Sequence, residues 1–302
     1  MERGKQLWTL GNLTEAEAAL KDVLRRADAA GSDQFRVAAL NGLGSVYQDM
    51  GRYGEAEQSY RSAVKVLERT SRKDDPTLAS ALHNLADLYL ETGRHQQAEP
   101  LLCRSLSIRS AALGPDHPEV AMTLNNLGAL YRLRRQWSKA ERPLKEALAI
   151  FRQRLGQYNL RVAEVLSNLG RLAQDRGRYP EAIAYSADVL SILERNTQAS
   201  PAFVAKALNN QGALYSLMGN PRAAEPYLKR ALATEEAAVG PDHPAVAGIL
   251  SNYAAVLRQM KRGAEAKVFE KRAKVILEKN SHGLPMGFTV DVRELRAANA
   301  GN

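Results

Sequence analysis

The 302-residue chain contains one cysteine, Cys103, so no disulfide can close within it and no thiolate metal cluster can be built from its own residues. Val, Ile and Thr are sparse beside Ala, Leu, Arg and Glu, which disfavours sheet and favours helix. No apolar run approaches the ~18 residues that a membrane span requires, and residues 1–20 lack the unbroken apolar core of a signal peptide. A cytoplasmic chain with no membrane attachment is expected. The strings HExxH, GxxxxGK[ST] and GxSxG are missing, as is a Cys/His pairing suited to a nucleophile. A non-catalytic protein with no cofactor and no metal site is therefore expected. His117 and His243 each follow an aspartate, but three whole repeats separate them, too far to share an ion. The net charge of +9 describes a solvated Lys/Arg surface and leaves an anionic partner open.

What the chain does have is a 42-residue period. Leu40, Leu82, Leu124, Leu166, Leu208 and Leu250 fill one column, and Ala56, Ala98, Ala140, Ala182, Ala224 and Ala266 fill another. A small-residue column (Gly44, Ala86, Gly128, Gly170, Gly212, Ala254) is followed three residues later by Tyr47, Tyr89, Tyr131, Ala173, Tyr215 and Leu257. Leu, Gly/Ala and Tyr at these offsets share one helical stripe. A turn such as Gly51-Arg52-Tyr53 or Gly93-Arg94-His95 follows, and then a second helix marked by the Ala column. Each unit is two helices joined by a tight turn. One such pair cannot bury its own apolar face, so stability must come from stacking unit on unit.

This spacing resembles the tetratricopeptide repeat, over nearly the whole chain. The 42-residue form, with the string LNNLG at 124–128, Glu99-Pro100 and Glu225-Pro226, and the connectors Gly114-Pro115-Asp116-His117-Pro118 and Gly240-Pro241-Asp242-His243-Pro244, is similar to the repeats of kinesin light chains. The resemblance implies an all-α fold: a right-handed α-solenoid of stacked antiparallel helix pairs. The expected organisation is an array over 1–280, with a partial first repeat at 1–30 and six 42-residue repeats after it. A C-terminal tail, 281–302, with a short strand or helical turn around 292–298, completes it. Two departures from the pattern weaken the expected packing. Arg135 and Lys261 stand where other units have a turn glycine, and in the fourth full unit Ala173 and Ser186 replace bulky residues. In the connectors, Asp116 with Glu119 three residues on is read as a helix cap.

One further column is polar inside an apolar helix: Asn84, Asn126, Asn168, Asn210 and Asn252, with Gly42 one unit earlier. Asparagine is a poor helix former, and here it lies off the packing stripe. The resemblance implies that the first helices line a concave wall where asparagine amides bond the backbone of an extended peptide. An amide donates and accepts, so it can serve peptide backbone whatever the ligand's side chains are. The expected groove residues are Asn84, Asn125, Asn126, Asn168, Asn209, Asn210 and Asn252, flanked by His83, Arg132, Arg171, Lys206 and Arg258. The last four point to a protein or peptide ligand with acidic residues. The bland alternative is that the asparagines fill a wet seam between repeats. Two other functions compete: a self-associating array, giving a homo-oligomer, and a basic solenoid that binds nucleic acid. The tyrosines argue against the second, because they belong to the packing stripe and not to a base-stacking surface.

Overall fold

The computed structural model describes residues 2–70, 74–197 and 199–280, and the expected tail at 281–302 lies outside the described residues. Fourteen α-helices follow one another among the described residues: α1 (Glu2–Thr9), α2 (Leu13–Ala29), α3 (Asp33–Asp49), α4 (Tyr53–Thr70), α5 (Pro76–Glu91), α6 (His95–Leu113), α7 (Pro118–Leu133), α8 (Trp137–Leu155), α9 (Leu160–Asp175), α10 (Tyr179–Arg195), α11 (Pro201–Leu217), α12 (Pro221–Val239), α13 (Pro244–Gln259) and α14 (Gly263–Lys279). The chain divides into two compact units, Met1–Ile150 and Phe151–Asn302. Within the first, α3 pairs with α4 and α5 with α6. Each second helix then packs on the next first helix, α2 on α3 and α4 on α5. The second unit repeats the plan with α9 and α10, α11 and α12, and α13 and α14.

The packing stripe is buried as its spacing requires. In the first unit Leu43, Tyr47, Tyr60, Leu85, Tyr89, Leu102, Leu127 and Leu130 belong to one core, and each such side chain fully removed from water contributes about 1.5–3 kcal/mol. The small column explains how close the paired helices come. A Cβ on Gly128 would stand 2.4 Å from Cγ of Leu144, and one on Gly44 would stand 2.4 Å from Cε1 of Tyr60. At Gly170 the matching partner is Ser186, and a Cβ there would have its nearest neighbour, Tyr185 Cβ, at 3.5 Å. Tyr179, Ile183 and Tyr185 pack against the cluster formed by Ala173, Ala182 and Leu214 at this joint.

The turns keep one geometry despite the departures. Gly51 has φ of 72°, with its N–H bonded to the Gln48 carbonyl and that of Arg52 to the Tyr47 carbonyl. Arg135 and Lys261 adopt φ of 55° and 62° and preserve the same bonding, Gln136 N–H to the Tyr131 carbonyl at 2.8 Å and Arg262 N–H to the Leu257 carbonyl at 2.9 Å. The turn survives at the expense of backbone strain, since a Cβ is disfavoured in the left-handed region. In the long connectors the cap is His117, not Asp116. Its Nδ1 accepts from the Glu119 N–H at 3.2 Å, and His243 does the same for Ala245 at 3.3 Å. Asp75 and Asn159, in the same column, accept from Thr77 and Arg161.

A further device ties neighbouring repeats. Tyr89 on α5 donates to Glu57 on α4 at 2.8 Å, Arg94 donates to the same carboxylate at 2.6 Å, and the guanidinium carbon lies 4.3 Å from the Tyr89 ring centroid. Tyr47, Arg52 and Glu17 form the equivalent set one repeat earlier. In the second unit Tyr253, Arg262 and Glu225 do the same work. Arg109, 3% exposed, joins α6 to its neighbours by donating to Thr123 Oγ1 at 2.8 Å, the Glu119 carbonyl at 3.1 Å and Ser80 Oγ at 3.3 Å.

Candidate functional site

First helices lie side by side within each unit: α1 against α3, α3 against α5, and α5 against α7 in the first, α11 against α13 in the second. Their polar cross-links share one register. Asn252 Nδ2 donates to Asn209 Oδ1 at 3.1 Å, Gln259 to Ser216 at 2.6 Å, and Gln48 to Glu91 at 2.6 Å, and Asn126 Nδ2 stands 3.4 Å from His83 Nε2. Every one of these pairs is 43 residues apart, one repeat plus one residue. The asparagine column of one helix therefore faces the position just before the column on the preceding helix.

That register corrects three of the expected groove residues. Asn209 is 0% exposed and Asn252 1%, and His83 is 7% exposed. Asn252 Nδ2, Asn209 Oδ1 and His83 Nε2 each face the neighbouring first helix at these contacts, and the burial of the three side chains sets them back from a groove surface. Burial makes the exchange favourable, because an amide withdrawn from water without a partner costs about 1–3 kcal/mol. Arg258 is also committed: its guanidinium makes two 2.7 Å bonds to Glu270 on α14. The sequence carried a signal for the cross-links, since Asn41, His83, Asn125, Ser167 and Asn209 put a polar residue 43 before each column asparagine.

The remaining candidates are half-buried: Asn84, Asn125, Asn126 and Arg132 on α5 and α7, and Asn168, Arg171, Lys206 and Asn210 on α9 and α11. Asn126 also donates to Asp87 Oδ1 at 3.2 Å. Burial lowers the pKa of the Lys206 ammonium, the Arg171 charge lowers it further, and Glu235 opposes both. Glu235, 5% exposed, is pushed up by its own burial against the pull of His243 and Lys206. The second unit thus places Arg171 and Lys206 on α9 and α11, with Glu164 and Asp175 exposed on α9. The first unit has Asp49, Asp87 and Glu91 exposed on α3 and α5. Burial, with these three carboxylates adding to it and a Ser45 hydrogen bond opposing, raises the Tyr60 hydroxyl to about 12.

At the α1 end the asparagine cross-link is open. Asn41 and Asn84 stand in the 43-residue relationship, yet among the described residues no hydrogen bond joins their side chains, and Asn41 Oδ1 is buried with no partner. Both line a cleft of about 380 Å³ with Gly4, Trp8, Leu20 and Gly42. Gly42 occupies the column position that is asparagine in the other five units, and its missing side chain leaves the space.

Among the described residues no helix is long and apolar enough to cross a membrane. The sequence profile of the tetratricopeptide repeat matches residues 1–69, 35–111, 77–153, 144–195 and 203–279. No curated protein matches the chain. Solved structures do: BtubC (BKLC) from P. vanneervenii is 27% identical with a TM-score of 0.65, over 74% of this chain and 91% of that one. The nearly identical TPR-like repeats of a Podosopora anserina protein designated a kinesin light chain are 20% identical with a TM-score of 0.60, over 69% and 99%. A tetratricopeptide repeat protein from Parabacteroides merdae is 20% identical with a TM-score of 0.60, over 99% and 96%.

Proposed function

The chain belongs to the tetratricopeptide-repeat family, whose repeats generally mediate protein–protein interactions, and on that premise we propose that it is a non-catalytic scaffold whose first helices dock an extended segment of a partner protein. The observation that supports this reading is the half-burial of Asn84 in the first unit and of Asn168 and Asn210 in the second, while Leu82, Leu166 and Leu208 beside them are buried. Amides at that depth offer a donor and an acceptor to peptide backbone. In the second unit Arg171 and Lys206 favour acidic ligand residues, and such charges steer encounter more than they add affinity.

The tyrosines speak against a nucleic-acid surface. Tyr47 and Tyr89 are buried, and Tyr215 stacks on Tyr227 with centroids 5.5 Å apart, so none of these rings is offered to a base. A second reading, association between copies, draws on the exposed Val268, Val275 and Leu277 of α14. Light scattering across a concentration series tests it, and a concentration-independent monomer excludes it.

The main test is affinity capture from the source lysate with the intact chain and with Asn84, Asn126, Asn168 and Asn210 all changed to Ala. Helical content is monitored by circular dichroism. The proposal expects partners retained by the parent chain to be lost from the variant. Undiminished capture by a folded variant would falsify the groove assignment.

A further inference from the structure

We infer that the cleft between α1, α3 and α5 is a binding site for a cationic peptide segment carrying one apolar side chain, the opposite charge preference to that of Arg171 and Lys206 in the second unit. The inference rests on the scaffold reading above and adds to it a location and a ligand chemistry.

Three observations carry it. First, the cleft is lined by both kinds of group: Leu20, Val46 and the Trp8 ring are apolar, and Asn41, Ser45 and Asn84 are polar. A concave apolar space with a few placed polar groups is the general form of a ligand site. Second, its polar groups lack the contact their equivalents have. Asn252 bonds Asn209, and Asn126 faces His83, but Asn84 and Asn41 are not joined among the described residues, and the buried Asn41 Oδ1 has no donor. An entering peptide N–H supplies one, and buried acceptors left unpaired are the exception in folded proteins.

Third, two carboxylates near the cleft, Asp49 and Glu91, are held by uncharged donors. Asp49 accepts from Trp8 Nε1 at 2.5 Å, and Glu91 accepts from Gln48 Nε2 at 2.6 Å and Tyr53 Oη at 2.9 Å. Among the described residues each is held in place without an ion pair. The Trp8 bond is informative, because it fixes the indole wall of the cleft to one of the carboxylates that would meet a lysine or arginine. A cation drawn to Asp49 and Glu91 brings its flanking backbone to Asn41 and Asn84, with a neighbouring apolar side chain at the opening above Leu20.

The test uses the full chain and two short fluorescein-labelled peptides, each with one leucine and glycine spacers, one flanked by lysines and the other by glutamates. Binding is read by fluorescence anisotropy. The lysine peptide is expected to bind at least about tenfold more tightly than the glutamate peptide, and to weaken as salt screens the carboxylates. Gly42→Leu should abolish that binding by filling the cleft. The atoms nearest its Cβ would be Cδ1 and Cδ2 of Leu20, both at 3.1 Å, which must shift by a few tenths of an ångström, and leucine is a better helix former than glycine, so the fold is expected to persist. Should Gly42→Leu unfold, Asp49→Asn with Glu91→Gln, at exposed positions, decides the matter by an expected loss of about tenfold. Equal binding of the two peptides, binding of neither, or lysine-peptide binding untouched by a folded variant overturns the inference. Preferred binding of the glutamate peptide, lost with Arg171→Ala and Lys206→Ala, also overturns it while leaving the scaffold reading intact. A dimer that dissociates on Gly42→Leu assigns the cleft to a second copy and overturns it too.

Discussion

Asn252 on α13 donates its amide to Asn209 on α11 at 3.1 Å, and both residues are sealed from solvent. The pair turns the repeated polar column into a measurable stability term. Asn252→Ala is expected to cost about 1–3 kcal/mol in urea unfolding, because it strands the Asn209 amide inside the protein. Asn84→Ala, where no such bond exists among the described residues, is expected to stay within about 0.5 kcal/mol. Equal losses from the two variants would remove the distinction between closed and open cross-links.

The small column permits a paired comparison. Gly128→Ala forces a methyl against Leu144 and is expected to destabilise by about 1–3 kcal/mol, partly offset by alanine's better helix propensity. Gly170→Ala meets ordinary contact distances, so the propensity gain of about 0.5–1 kcal/mol should show as a higher melting temperature. Thermal denaturation of the two variants side by side is the check, and opposite signs are required.

Arg135 and Lys261 hold left-handed turns with a side chain attached. Replacing either by glycine relieves ~1–2 kcal/mol of backbone strain, less the extra entropy glycine has when unfolded. A net gain of about 0.5–1 kcal/mol per site is expected from chemical denaturation. A loss at both sites would mean that side-chain contacts, not the turn, set the preference.

Acid should act through the Glu57 clamp. Burial raises the Glu57 carboxyl, but the Arg94 and Tyr89 hydrogen bonds more than reverse this, and its pKa in the folded chain is lowered. A carboxylate lowered on folding stabilises the fold at pH above its unfolded value of about 4.3, and that contribution disappears as pH falls through the folded value. The difference in unfolding free energy between the parent and Glu57→Gln should therefore be constant near neutral pH and shrink below about pH 4. A difference that holds steady to the lowest pH at which the chain stays folded would show that the lost charge is not its source.

Much of this architecture was open to a reader of the sequence. The 42-residue recurrence of Leu40 to Leu250 and Ala56 to Ala266 placed the helix pairs, their turns and the buried stripe. Local chemistry also dictated that Gly51 and its equivalents close a helix, because backbone conformation at a turn depends on the residue that occupies it. The fates of Asn209, Asn252, His83 and Arg258 were not legible in the same way. A helical stripe shows that these side chains leave the packing face, but not what stands opposite them.

The sequence by itself determined the repeat, the pairing of helices across each turn and the packing stripe that must be buried, since each follows from periodicity along one chain. Only the tertiary structure decided that neighbouring first helices meet with a one-residue offset. That offset joins Asn252 to Asn209, leaves Asn84 and Asn41 apart beside Gly42, and gives Arg258 to Glu270. Hydrogen bonding acts over about 3 Å, and which polar groups come within that reach is set by how separate helices pack, information that no single helix contains.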